Sequence, residues 1–369
     1  MAPVRSRPDR VVLVIGAGAT RADAPANLPG YRKPPLDRKF FAEAARLHPD
    51  ATARIRYYLL YTYGRDLSMQ ENDSLESVMA VLYADSYDPA LSPTAFPLFQ
   101  ELIRLYNRRL AETTNRMRVR QAGYLRGILA RLLRARVPPE NITVVTFNQD
   151  IQIEKALASL ASKKSYSGAG TILDFPGCYR FDERPVVTGP KRGLLFKRGS
   201  ASHDGVAVLK LHGSLNWYSR HTSPQLSQVR LFDPGRKLLV TTRMEIDPDM
   251  GFAQEGRGRT TWNTFPIVVP PVAAKARIIH DRIKPLWSLA EQCLREASSV
   301  IIFGYSCPAM DFESANLIGR SLQSSARCGR LTIIDIEPRT VARYYQLTGC
   351  KEFRYFATAK AASSAMTAS

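Results

Sequence analysis

The chain has 369 residues, 45% of them apolar, enough for the core of one large α/β domain with insertions or of two ordinary domains. No apolar run approaches the roughly 20 residues that cross a bilayer, which excludes a membrane-spanning helix. Lys and Arg total 52 against 33 Asp and Glu, and the net charge of +19 favours an anionic partner such as nucleic acid, an acidic protein or a phosphorylated ligand.

The first element is VVLVIGAGAT, residues 11–20, a continuous Val/Ile/Leu run of the kind that forms a buried parallel strand, leading into a Gly-x-Gly turn. Gly16 and Gly18 permit a tight turn and a close approach of backbone to phosphate, or they merely turn a strand into a helix. The third glycine of the dinucleotide fingerprint is absent, since position 21 is Arg21. Arg5, Arg7 and Arg10, the apolar run and Ala22-Asp23-Ala24 mimic a secretory leader, but the run is short and polar chain follows at Thr20.

A Pro-rich loop, PANLPGYRKPP at residues 25–35, separates this strand from helical patterning that dominates residues 37–136. Phe99, Leu102, Ile103 and Tyr106, then Leu125, Ile128, Leu129, Leu132 and Leu133, recur at helical intervals and define an inserted helical module. Pro138-Pro139 ends it. Residues 142–146 (ITVVT) form a second strand, closed by Phe147-Asn148-Gln149-Asp150 and followed by a helix over 151–160.

Residues 161–205 read as loop, and 206–211 as a third strand ended by His212-Gly213-Ser214. Residues 219–275 are a variable region of short strands and turns, with Gly256-Arg257-Gly258-Arg259 as a mobile tip. A helix over 281–297, strand 300–303, the turn Gly304-Tyr305-Ser306, a helix from Asp311, strand 331–336, helix 339–348 and a strand near 353–356 complete the pattern, before a frayed Ala/Ser-rich tail over 357–369. Strands alternating with helices predict one domain over 1–369, with a doubly wound parallel Rossmann-like α/β core from 11–36 and 137–356 and the helical module at 37–136.

Five scattered cysteines, Cys178, Cys293, Cys307, Cys328 and Cys350, contain no Cys-x-x-Cys pair, which argues against a thiolate zinc site and for free thiols in a reducing cytoplasm. The basic patches at 116–120, 131–136 and 191–198 are either solvated faces or nucleic-acid contacts.

In a doubly wound sheet ligands sit beyond the C-terminal ends of the strands. Four such ends carry polar chemistry here: Gly16-Ala17-Gly18, Asn148 with Asp150, His212, and Gly304-Tyr305-Ser306. Each has a bland reading: Asn148 and Asp150 as turn formers or helix caps, His212 as a core histidine, Gly304 as a turn. Their joint occurrence points to a site.

GAG, TFNQDIQIEKAL, LKLHGSLNW, IIFGYSCPAMD and IIDIE follow one another as the signatures of the sirtuin family do. The chain resembles the sirtuin-like effector domains of bacterial defence systems more closely than the protein deacetylases, whose paired zinc cysteines and Gly-Ile-Pro-Asp-Phe-Arg loop it lacks. The resemblance spans roughly residues 11–336 and is weak over 40–135, 161–205 and 219–275.

The resemblance implies an NAD hydrolase, with NAD as substrate and no metal. Asn148 would hold the ribose and an attacking water, Asp150 would orient a ribose hydroxyl or the nicotinamide side of the pocket, and His212 would be the general base, a role that suits histidine because the unperturbed side chain has a pKa of about 6.5. Gly16, Ala17, Gly18, Ala19 and Thr20 would cradle the diphosphate. Gly304, Tyr305 and Ser306 would approach the adenosine ribose and phosphates, and Asp335 or Glu337 would accept from adenosine. Glu154 is either part of the site or an internal cap or ion pair, and Trp217 a core anchor or a stacking platform.

The resemblance also implies a cytoplasmic homo-oligomer working with a separate sensor, such as a helicase-like ATPase or an Argonaute-like protein. Nucleic acid is met directly or through that partner, and no membrane is involved. The helical module is the expected contact surface. Two rival readings stand beside it: a non-catalytic NAD- or ADP-ribose-binding regulatory subunit, and a nucleic-acid-binding component.

Overall fold

The computed structural model describes residues 10–66, 74–117, 123–163, 166, 171–182, 185–188, 204–221, 238–241, 254–255, 262–269, 283–308, 311–323, 331–350 and 353–365. β1 (Val11–Ile15) and α1 (Ala17–Asp23) are followed by α2 (Phe40–Ala45), α3 (Pro49–Tyr63), α4 (Leu75–Asp85), α5 (Ser92–Arg116) and α6 (Tyr124–Arg134). Then come β2 (Ile142–Thr146), α7 (Gln152–Ala161), β3 (Val186–Thr188), β4 (Ala207–Lys210), β5 (Gly213–His221), β6 (Leu238–Thr241), β7 (Gln254–Glu255) and β8 (Trp262–Val268). The chain closes with α8 (Lys284–Glu296), β9 (Ser299–Phe303), α9 (Phe312–Gln323), β10 (Leu331–Ile334), α10 (Arg339–Thr348), β11 (Phe353–Phe356) and α11 (Ala359–Ala365).

Six strands form a wholly parallel sheet in the order β11-β10-β9-β1-β2-β4. The chain moves outward from β1 through β2 to β4, returns to β9 on the other side of β1, and moves outward again, which is the doubly wound topology that strand–helix alternation predicts. All residues of β1 and β2 are buried, because helices cover both faces of a parallel sheet. The stretch that mimics a secretory leader is therefore the central strand.

Helices α2 to α6 stand between β1 and β2 in the chain, and their apolar faces join the same buried cluster as the sheet. Polar contacts weld them to the core. Lys155 on α7 donates from Nζ to the Thr114 carbonyl at 2.7 Å, and Gln152 Nε2 reaches the same oxygen at 3.2 Å, so the last turn of α5 gains donors it lacks within the helix. Arg109, fully buried, donates to the Tyr31 carbonyl at 2.6 Å, and Arg21 donates to the Pro34 carbonyl at 2.6 Å, so the Pro-rich loop is pinned from both sides.

Asp23 caps α6, accepting from the backbone N–H groups of Tyr124 and Leu125. No side chain of α6's own N-terminal flank does this, since the residue before Tyr124 is Gly123. Asp23→Ala is expected to lower stability by roughly 0.5–2 kcal/mol in urea unfolding, the usual worth of a cap.

Three differences from the sequence reading emerge. A second sheet, in the order β3-β6-β5-β8-β7, stands where loops and short variable strands were expected, and only its β3–β6 pairing is parallel. Ala359–Ala365, expected to fray, form α11, which tucks Ala359 and Ala362 into the core. Of the described cysteines, Cys178, Cys293 and Cys307 form no disulfide but Cys350 is disulfide-bonded, so the expectation of thiols throughout does not hold. Residues 118–120 and 191–198 of the basic patches, the tip at 256–259 and Cys328 lie outside the described residues. No helix of the described residues is long and apolar enough to cross a membrane.

Candidate functional site at the strand ends

The parallel strands end in register: Ile15 pairs with Thr146 on one side and Phe303 on the other, Thr146 with Lys210, and Phe303 with Ile334. Asp335, Gly304, Gly16, Asn148 and His212 therefore leave the sheet along one edge, each on or just beyond a neighbouring strand end. At about 4.8 Å between strands, the row is about 19 Å long.

The glycine turn is packed more tightly than a phosphate cradle alone would require. A Cβ on Gly16 would lie 2.5 Å from the Gly304 carbonyl oxygen, and one on Gly18 would lie 2.9 Å from the same atom. The Gly16 N–H donates to Phe303 and the Gly18 N–H to Gly304, at 3.1 and 2.9 Å, so these two donors serve the junction between β1 and β9. Ala17, exposed at the tip, opens α1, where backbone N–H groups lack intrahelical acceptors. Ala19 is fully buried and its N–H closes the turn onto the Gly16 carbonyl.

Thr20 joins the turn to the second strand end. Asn148 Nδ2 donates to the Gly16 carbonyl at 2.9 Å and to Thr20 Oγ1 at 2.8 Å, and the Thr20 hydroxyl donates to Asp150 Oδ2 at 3.0 Å. Both amide hydrogens of Asn148 are thus engaged, and the group it offers to a ligand is its Oδ1, an acceptor. The other Asp150 oxygen accepts from the Gln152 N–H at 2.9 Å, the turn-forming bond expected of an Asp just ahead of a helix whose N-cap is Ile151.

His212 sits where the two sheets meet. Its carbonyl accepts from the Val269 N–H at 2.9 Å, and Gly213, at φ +76°, turns the chain so sharply into β5 that a Cβ there would lie 2.0 Å from the Ile267 oxygen. Gln149 ties the same junction, donating from Nε2 to the Val269 carbonyl at 2.7 Å and accepting from the Leu215 N–H at 2.9 Å. The imidazole is buried between Phe147 and Trp287, with ring centroids 5.3 and 6.2 Å away. Its Nε2 lies 3.9 Å from Asp311 Oδ1, beyond hydrogen-bond reach but near enough for the carboxylate to balance a proton the ring takes up.

Tyr305 is buried, stacked on Phe147 at 4.3 Å, and its hydroxyl donates to Asp311 Oδ2 at 2.7 Å. It builds the wall behind His212, while Gly304 contributes backbone and Ser306 is exposed. Asp335 is half-buried and its carboxyl is pushed up from the ordinary range, chiefly by burial and further by the charge of Glu337. Its Oδ1 accepts from the Glu337 N–H at 2.9 Å, and Glu337 itself is exposed.

Phe147, Lys210 and Asp311 lie inside the motifs noted above but received no role, and Trp287 carried no signal at all. Trp287 reaches the site only because its indole N–H donates to the Leu211 carbonyl, a contact between distant parts of the chain. Trp217 is fully buried against Tyr179 and Phe181, which makes it a core anchor. Among the described residues no group of three or more His, Cys, Asp or Glu could hold a metal ion.

No family model and no curated protein matches the chain. Among solved structures it is similar to one described as the structural basis for the mechanism and regulation of Sir2 enzymes, with TM-score 0.41 and 12% identity over 98% of this chain and 92% of that one. It is also similar to a Sir2 homologue mutant–ADP ribose complex, with TM-score 0.44 and 12% identity over 97% and 90%. A third, Sir2Tm bound to a propionylated peptide, has TM-score 0.39 and 12% identity over 97% and 92%.

Proposed function

We propose that the chain is an NAD glycohydrolase, converting NAD and water to nicotinamide, ADP-ribose and a proton, and that it serves as the NAD-depleting effector of an antiphage defence system. The observation that carries this reading is the alignment on one sheet edge of the Gly16-Ala17-Gly18 turn, the Asn148–Thr20–Asp150 triad and His212. The sequence motifs supply the defence context, with a separate sensor as activator.

The chemistry asked of these residues is limited. Nicotinamide leaves as a neutral base from a cationic pyridinium, so the barrier lies in the oxocarbenium-like ribose left behind. Asn148 Oδ1 is suited to accept from a ribose hydroxyl or from the attacking water. His212 takes the proton that water or hydroxyl releases, and Asp311 balances the charge that then forms on the ring. The aromatic wall of Phe147, Tyr305 and Trp287 limits water beside the imidazole.

Purified chain, incubated with NAD with and without nucleic acid, is expected to release nicotinamide, followed by chromatography. Tight binding of NAD with no release in any condition would instead favour the regulatory-subunit reading. Binding to nucleic acid that weakens steeply with salt, with no response to NAD, would favour the third.

A further inference from the structure

Beneath the site lies a buried ion pair that the chemistry above does not use. Lys210, the last residue of β4, and Glu154, one helical turn after Asp150 on α7, have side chains 1% and 0% exposed. Lys210 Nζ donates to Glu154 Oε1 at 3.0 Å and also to the backbone carbonyl of Asp150. The same Glu154 oxygen accepts from the Tyr179 hydroxyl at 2.9 Å. Burial first, and then the charge of Glu154, hold the Tyr179 hydroxyl far above its ordinary pKa, so it stays a donor.

The chain of contacts continues. Tyr179 accepts from Asn216 Nδ2 at 2.9 Å, and Asn216 Oδ1 accepts from the Ser214 hydroxyl at 2.6 Å. A buried polar network thus runs from β5, just past His212, through α7 to the carbonyl of Asp150. A buried pair of this kind is a poor device for stability alone, because replacing it with apolar residues of similar volume is often neutral or stabilising. What the ammonium adds is a directed bond to one peptide of the turn that carries Asn148 and Asp150, made from a residue two places before His212.

We propose that the Lys210–Glu154 pair is a positioning device that fixes the Asn148–Asp150 turn relative to His212. Its kinetic consequence rests on the glycohydrolase reading; its geometric consequence does not. The test is the double variant Lys210→Met with Glu154→Leu, which removes the pair without stranding a buried charge. Glu154→Gln, which keeps an acceptor but not the charge, is the second variant and replaces the double should that fail to fold.

The expected result is a folded protein whose kcat for nicotinamide release falls roughly 10- to 100-fold, the scale of a misplaced catalytic group, with KM for NAD little changed. Amide hydrogen exchange at Asn148, Gln149, Asp150 and His212 is expected to quicken, and Glu154→Gln to show the same changes more weakly. Wild-type kcat together with wild-type exchange in the double variant, or in Glu154→Gln if only that folds, overturns the proposal. If the unmodified chain releases no nicotinamide in any condition, the glycohydrolase reading falls. The positioning role is then decided by exchange alone: unchanged protection overturns it and faster exchange sustains it.

Discussion

His212→Ala is expected to lower nicotinamide release from NAD by roughly 10²- to 10⁴-fold, the usual worth of a general base, while the protein stays folded. The backbone of His212 is held independently of its ring, by the Val269 N–H on its carbonyl and by the turn at Gly213, so the chain path survives loss of the imidazole. Asn148→Ala should lose activity on the same scale for a different reason. It removes the acceptor Oδ1 and also deprives Thr20 of its donor, so Asp150 loses the hydroxyl's fixed orientation as well. Steady-state release by each variant, with circular dichroism to confirm folding, checks both. Full activity in both variants would remove the catalytic assignment and leave a binding site.

Gly304→Ala is expected to destabilise the protein by about 3 kcal/mol or more, which is large for one added methyl group. Gly304 has φ +60°, and a Cβ there would stand 2.1 Å from the Ala19 nitrogen and 2.5 Å from the Gly18 carbonyl carbon. Both contacts are backbone, so neither can swing aside. The residue also accepts from the Gly18 N–H and donates to the Ile334 carbonyl, and any shift would pull on three adjacent strand ends at once. Gly127→Ala provides the control. Gly127 lies within α6 with nothing within 4 Å of an added Cβ, and alanine there should stabilise by about 0.4–1 kcal/mol. Urea unfolding of the two variants side by side reads the difference; equal midpoints would show that the junction tolerates a side chain.

The two sets of variants bear on what the glycines are for. Read from sequence, Gly16 and Gly18 offered a phosphate cradle or a plain turn. Their geometry adds a third use, the backbone-to-backbone packing of the β1–α1 turn against the β9 turn. The Ala17 N–H at the exposed tip is left as what the turn can present to an anion.

Much of the core was legible because its signals are local. Short β-branched runs such as VVLVI and ITVVT, bounded by turn residues, read as strands buried on both faces, and a glycine, Asn or His after them marks the end from which a ligand is reached. The helices of residues 37–136 were legible through their 3.6-residue spacing. One further signal was present and carried more than was taken from it. Lys210 interrupts the apolar AVLKL run, and a charge in a buried strand demands a partner, which Glu154 supplies.

The rest depended on contacts between residues far apart in the chain. The second sheet was missed because its strands pair across long separations, β5 with β8 and β3 with β6, and nothing in a short window records such a partner. Trp287 and Asp311 come to His212 only when α8 and the turn before α9 close over the edge of the sheet. The amino-acid pattern by itself determined the strands and helices of the parallel core and which polar residues stand at its strand ends, since periodicity and turn chemistry act within a few residues. Tertiary structure alone decided which hydrogen of Asn148 is spent and which oxygen is left, what flanks His212, and that a buried Lys–Glu pair holds the two together, because those are matters of register and distance between elements.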